Sequence, residues 1–319
     1  MTAAPPQGPT VIEPQEESIR PETSAEFDGT PIRAWRVGNR VGEAPAWHPG
    51  QRCLYWIDVR GQQLLRLQPA AGELTRWMLP EVVGALALCD DDRAILAFPQ
   101  RLVSIDLQSN VLRDIASVER ERPTNRLNEG KVSPSGRWWV FGSMDDRPDK
   151  AATGALYCMG ADAIVRRLHD GLVIANGIAW SPDGTTLYFS DSFAGQLYAA
   201  AWDDAAGTMG RPTLHARLDE AAGRPDGAAI DVAGNYWSAG VSAGCINVLD
   251  PRGAIMRKIA VPCQAPTMPA FAGTGSMKVF VTSLIRPHWT RVGPWDGALL
   301  EIETDITGII PPLFRLAAA

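Results

Sequence analysis

From Asn176 to Ser192 the chain reads NGIAWSPDGTTLYFSDS, an apolar stretch, a Ser-Pro-Asp-Gly turn and a second apolar stretch. Two apolar runs around such a turn predict a β-hairpin. The same phase recurs in EAPAWHPGQRCLYWID from Glu43, GALALCDDDRAILAF from Gly84, NEGKVSPSGRWWVFG from Asn128, DGAAIDVAGNYWSAG from Asp226 and TMPAFAGTGSMKVFVTS from Thr267. Each copy places an apolar residue four positions after its head: Trp47, Leu88, Val132, Trp180, Ile230 and Phe271. Successive heads lie 41, 44, 48, 50 and 41 residues apart. Strands and Gly/Asp turns repeating at that period predict the blades of a β-propeller, each a four-stranded meander around a central channel. Six copies predict six blades and an all-β fold. Runs such as QLLRLQP and LTRWMLP supply the outer strands. PIRAWRVG, ahead of the first copy, is expected to pair with C-terminal strands such as GALLEIE and close the ring, leaving no open edge.

In a propeller the inner strand of each blade runs along the axis, so equivalent positions form a ring at one mouth of the channel. The heads Glu43, Gly84, Asn128, Asn176, Asp226 and Thr267 therefore converge, bringing two carboxylates and two carboxamides into one small space. Crowded carboxylates resist burial unless one takes a proton or a cation sits between them. Oxygen donors from Glu43, Asn176 and Asp226 suit a hard divalent ion, with further positions open to water or substrate. None of the four His is a head, which argues against a histidine-rich zinc site. The competing reading is that Asn-Gly and Asp-Gly simply turn the chain. Turns alone do not require Glu43.

Composition narrows the setting. The 11 Trp, 30 Gly and 25 Pro favour aromatic strands and tight turns. The net charge of -6 is concentrated in residues 1–30, where six acids face one base, Arg20. That acidic, Pro-rich stretch is expected to be a disordered tail, with the propeller over 31–319. The nearly neutral remainder carries no basic footprint for nucleic acid. No apolar run is long enough to span a membrane and no secretory leader is apparent, so a cytoplasmic location is expected. The five scattered Cys read as reduced, buried thiols. A closed ring has no need of a partner, so a monomer or weak oligomer is expected.

Four ordered motifs, GEAPAWHPGQRCLYWIDV, NRLNEGKVSPSGRWWVFGSM, NGIAWSPDGTTLYFSDS and GRPDGAAID, resemble those of the regucalcin, gluconolactonase and luciferin-regenerating enzyme family, the calcium-dependent lactonase propellers. The likeness covers nearly the whole chain after the tail. It implies Glu43, Asn176 and Asp226 as metal ligands, Arg126 and Asn128 as substrate contacts, and hydrolysis of a sugar lactone such as gluconolactone to its aldonic acid. Ca²⁺ is the foremost ion, with Mg²⁺, Mn²⁺, Zn²⁺ and Fe²⁺ as alternatives. Asp226 is the candidate general base. The chain departs from the family at Glu129, where Asp is usual, and in DDRPDK after Met144, where many relatives place a substrate-contacting acid.

Rival readings remain. GVSAG, residues 240–244, matches the G-x-S-x-G pattern of serine esterases with Ser242 as nucleophile, a motif that needs a strand before it and a helix after it. A metal-dependent esterase of another substrate class, or a binding platform with a structural metal, fits the same fold. The adjacent Arg126, and several Trp expected to wall a pocket, favour an enzyme.

Overall fold

In the computed structural model the structure describes residues 10–23, 32–273, 275 and 277–317. Six antiparallel sheets follow one another along the chain, each a meander whose first strand faces the axis. The inner strands are Gly42–His48, Ala85–Leu88, Asn125–Val132, Ala175–Trp180, Pro225–Ile230 and Pro266–Ala272, which we number blades 1 to 6. The core lies between neighbouring blades, where the aromatic residues of the inner and second strands interlock; Trp56, Trp139, Trp237, Phe141 and Phe189 are fully buried there. Burying such side chains contributes about 1.5–3 kcal/mol each and joins the sheets face to face. All five Cys are free and buried. Among the described residues no helix is long and apolar enough to cross a membrane.

The ring closes as its pattern predicts. Ile32–Trp35 pairs with Leu299–Glu303 in blade 6, in the register Leu299 to Trp35 and Leu300 to Ala34.

Residues 10–23 depart from the expected disordered tail. Thr10–Val11 adds to the outer edge of blade 2, Pro14–Ser18 to that of blade 1, and Glu22–Thr23 to Ile32–Trp35 of blade 6. The segment thus runs back around the ring across three blades. Composition misses it because an edge strand is held by backbone hydrogen bonds and needs little apolar surface. Only Ile12 is buried with the core, while Glu17 pairs with Arg76 at 2.7 Å and Glu22 with Arg36 at 2.8 Å. The rest of the expected tail, residues 1–9 and 24–30, lies outside the described residues.

A C-terminal strap crosses the channel at the end opposite the heads. Ile309 N–H donates to Ile230 O at 2.9 Å in blade 5, Phe314 N–H to Leu88 O at 2.8 Å in blade 2, and Arg315 N–H to Gly136 O at 2.9 Å in blade 3. A cavity of about 280 Å³ lies above the strap, walled by apolar side chains. Trp47 and Trp180 line this far cavity and Trp35, Trp56, Trp139 and Trp237 are buried in the core, so these Trp residues do not wall the mouth that carries the heads.

Candidate active site

Each inner strand except that of blade 2 loses register with its neighbour beside its head. The shifts fall between Glu43 and Ala46, Asn128 and Gly130, Asn176 and Ala179, Pro225 and Ala228, and Pro266 and Met268. A β-bulge re-aims a side chain, and here it turns five heads out of strict alternation with their strands. The backbone after the head enters the left-handed region at Ala44 (φ 50), Glu129 (φ 24) and Gly177 (φ 63). Asn-Gly and Asp-Gly therefore mark bulges within continuing strands, not chain reversals. Gly177 has no alternative, since a Cβ there would strike Tyr236 Oη and Ser190 Oγ.

Two heads are silent. A Cβ at Gly84 would run into the Leu127 carbonyl of blade 3, so glycine there serves close packing. Thr267 is spent on structure, donating to Gly42 O at 2.5 Å and pairing with Thr282 Oγ1 at 2.8 Å.

The other heads meet. Arg126 Nη1 donates to Asn128 Oδ1 at 2.7 Å, Asn128 Nδ2 to Asn176 Oδ1 at 2.8 Å, and Asn176 Nδ2 to Asp226 Oδ1 at 2.5 Å. The relay crosses blades 3, 4 and 5, with every member less than a tenth exposed. Glu43 is equally buried and lies within electrostatic reach of Asp226. Burial pushes the Glu43 carboxyl well above its ordinary value, and Asp226 and Glu129 push it further. Asp226 is raised by burial and then by Glu129, against the pull of Arg286, Arg224 and Arg126.

Below this layer lies a floor that the sequence reading did not assign. Glu129 accepts from the N–H groups of Gly177 and Ile178 at 2.7 Å each, holding the bulge that aims Asn176. Lys131 Nζ donates to Ala228 O, two residues after Asp226, and Tyr236 Oη donates to Gly177 O at 2.6 Å. Burial raises the Glu129 carboxyl, opposed first by Lys131. The only hint in the sequence was the departure from Asp at this position.

The fit to a divalent cation follows from charge and donors. Glu43, Glu129 and Asp226 bring three buried carboxyls against one ammonium, Lys131, leaving two negative charges in a space that disfavours them. Among the described residues no three His, Cys, Asp or Glu side chains form a metal cluster, so the set is complete only with the Asn176 amide oxygen. An amide oxygen has two lone pairs, of which Asn128 uses one. Glu43, Asn176 and Asp226 thus fit a hard, oxygen-seeking ion.

On the wall above, Asp146 accepts from Arg126 Nε at 3.0 Å and from Arg60 Nη2 at 2.6 Å. Arg126 therefore serves both the salt bridge and the relay. Of the three acids in DDRPDK after Met144, Asp146 faces the site, while Asp145 is held by Arg147 at 2.7 Å and Asp149 is exposed. Ser242 stands apart in a turn between strands Tyr236–Gly240 and Cys245–Leu249; its hydroxyl donates to Glu220 O at 2.7 Å and accepts from Arg224 N–H at 2.9 Å. The strand-to-helix elbow required of a serine nucleophile is not formed there.

Residues 41–285 match the model of the SMP-30/Gluconolactonase/LRE-like region. The chain is 35% identical to L-arabinolactonase of Azospirillum brasilense, covering 82% of this chain and 85% of that protein. It is 30% identical to 6-deoxy-6-sulfogluconolactonase of Pseudomonas putida, over 86% of this chain and 94% of that one. The crystal structure of regucalcin from Agrobacterium tumefaciens, described as a calcium-binding protein, superposes with a TM-score of 0.83 at 29% identity, covering 88% of this chain and 95% of that one. The chain belongs to the SMP-30/gluconolactonase/LRE-like family.

Proposed function

We propose that this protein hydrolyses a sugar lactone to the open-chain sugar acid, with a divalent cation, Ca²⁺ foremost, held by Glu43, Asn176 and Asp226. The observation that carries the reading is the relay from Arg126 through Asn128 and Asn176 to Asp226, which sets hydrogen-bond donors beside a buried acidic pair. The lactonase names of relatives covering most of the chain support the reaction class.

When bound, the cation supplies Lewis-acid polarisation of the lactone carbonyl. Asp226 takes the proton from the attacking water, a role helped by a carboxylate made more basic by burial. Water oxygen bonds to the carbonyl carbon, the ring C–O bond breaks, and the ring oxygen leaves as a hydroxyl on receiving that proton from Asp226. Arg126 and Asn128 hydrogen-bond the sugar hydroxyls or the ring ester and fix the direction of attack. The buried floor of Glu129 and Lys131 keeps Asn176 and Asp226 in place without touching substrate.

The test is acid release from a panel of sugar lactones by chelator-treated protein before and after adding back Ca²⁺, Mn²⁺ and Zn²⁺ separately. Metal-restored hydrolysis is expected. No hydrolysis above the spontaneous rate with any ion would refute the reading in favour of a binding propeller or another ester class. The relatives' names span an uncharged lactone, that of arabinose, and one bearing a sulfonate, so names alone leave the substituent open.

A further inference from the structure

The charges around the mouth do not balance for a neutral sugar. On the floor Glu129 is matched by Lys131, and the charges of Glu43 and Asp226 are those a divalent cation balances. On the wall one carboxylate, Asp146, bonds two guanidinium groups and acts on an ammonium that Asp145 also faces. Arg60 and Arg126 both bond Asp146 Oδ1, and Lys150 lies within electrostatic reach of all three. Lys150 Nζ itself donates only to neutral carbonyls, Asp145 O at 2.7 Å and Arg147 O at 3.0 Å. The neighbouring Asp145 is engaged by Arg147 and by the N–H groups of Arg147 and Ala151. With Arg147 acted on by both Asp145 and Asp149, the four cations Arg60, Arg126, Arg147 and Lys150 face three acids, and the wall holds one positive charge in excess. Burial lowers the Lys150 ammonium; Asp146 and Asp145 oppose that, and repulsion from Arg126 and Arg60 adds to it.

The excess is directed inward. Side-chain exposure falls from 45% at Arg60 through 27% at Asp146 to 11% at Arg126, whose guanidinium already touches Asn128 of the relay. From blade 6, Arg286 acts on Asp226, and among the described residues no acid forms an ion pair with it. Arg224, also near Asp226, is matched by Glu220 at 2.8 Å.

We propose that the lactone turned over here carries an anionic substituent, a carboxylate, sulfonate or phosphate group, seated against Arg60 and Lys150, beside the Arg126 that holds the sugar. The inference rests on the lactonase reading and narrows it. Guanidinium groups suit such oxyanions because they donate in pairs, and two cations bound to one carboxylate keep further N–H donors free for a ligand.

The test compares gluconolactone with gluconolactone phosphorylated on its primary hydroxyl, and with the monolactone of the matching dicarboxylic sugar acid, on metal-loaded protein. At least one anionic lactone is expected to show kcat/KM above that of gluconolactone by about tenfold or more, mostly through KM, with the advantage shrinking as salt is raised. Arg60→Gln and Lys150→Gln are each expected to reduce the ratio of anionic to neutral kcat/KM. Equal or better turnover of the neutral lactone, or a preference indifferent to salt and to both substitutions, would overturn the proposal while leaving the lactonase reading intact. No turnover of any of the three would refute the lactonase reading and the inference with it.

Discussion

Glu129 in blade 3 binds the backbone N–H of Gly177 in blade 4 at 2.7 Å, and through that contact one blade fixes the aim of its neighbour's Asn176. The carboxylate is buried and its second oxygen takes the Ile178 N–H, so both amides freed by the bulge are satisfied by one side chain. Replacing it with Gln keeps the shape but turns an NH₂ group toward one of those donors. Glu129→Gln is expected to lower divalent-metal affinity and kcat about 10–100-fold, as loss of a residue orienting a ligand typically does, with circular dichroism unchanged. Calorimetric metal titration decides it: unaltered metal affinity would remove Glu129 from the positioning role.

The strap makes a separable prediction. Phe314 is fully buried among residues of blades 2 and 3, on the far side of the channel from the relay. Phe314→Ala is expected to cost about 3–5 kcal/mol of stability in denaturant unfolding. KM of the folded enzyme should stay the same. Lost activity without lost stability would show that the strap communicates with the mouth.

Acid should weaken the fold through His48, whose Nδ1 accepts the Gln51 N–H at 3.2 Å and so requires the neutral ring. Burial lowers its pKa below the ordinary 6.5. An unfolded chain therefore binds a proton near pH 6.5 that the native ring refuses, and the His48 contribution, complete above that value, is lost as pH falls below it. His48→Asn places an untitratable acceptor near the same spot. With metal present, the melting temperature of the native protein relative to this variant should fall by about 2 °C between pH 7.5 and pH 5.5. A difference that does not vary with pH would contradict this.

What the sequence disclosed, and what it hid, follow from where the determinants lie. Glu43, Asn176 and Asp226 share one phase of a repeat, and phase is a property of sequence; their convergence followed from the propeller. Glu129 was opaque because its partners are backbone amides of another blade, which leave no side-chain pattern. The Arg60–Asp146–Arg126 contact joins blades 1 and 3 through loops whose shapes no period fixes. Residues 10–23 pair through their backbone, so their acidic composition pointed to disorder. The strap GIIPPLF, residues 308–314, occurs once and outside the repeat. Aromatic content indicated strands correctly but not which way each Trp faces, and most entered the inter-blade core.

In the proposed reaction Asp226 is needed for both metal binding and turnover, while Ser242 is needed for neither. Metal stoichiometry and lactone kcat/KM should be measured together on the native protein, Asp226→Ala and Ser242→Ala. Asp226→Ala is expected to lose the bound divalent ion and its hydrolysis, and Ser242→Ala to retain both within about twofold. An active Asp226→Ala protein beside an inactive, folded Ser242→Ala protein would contradict this.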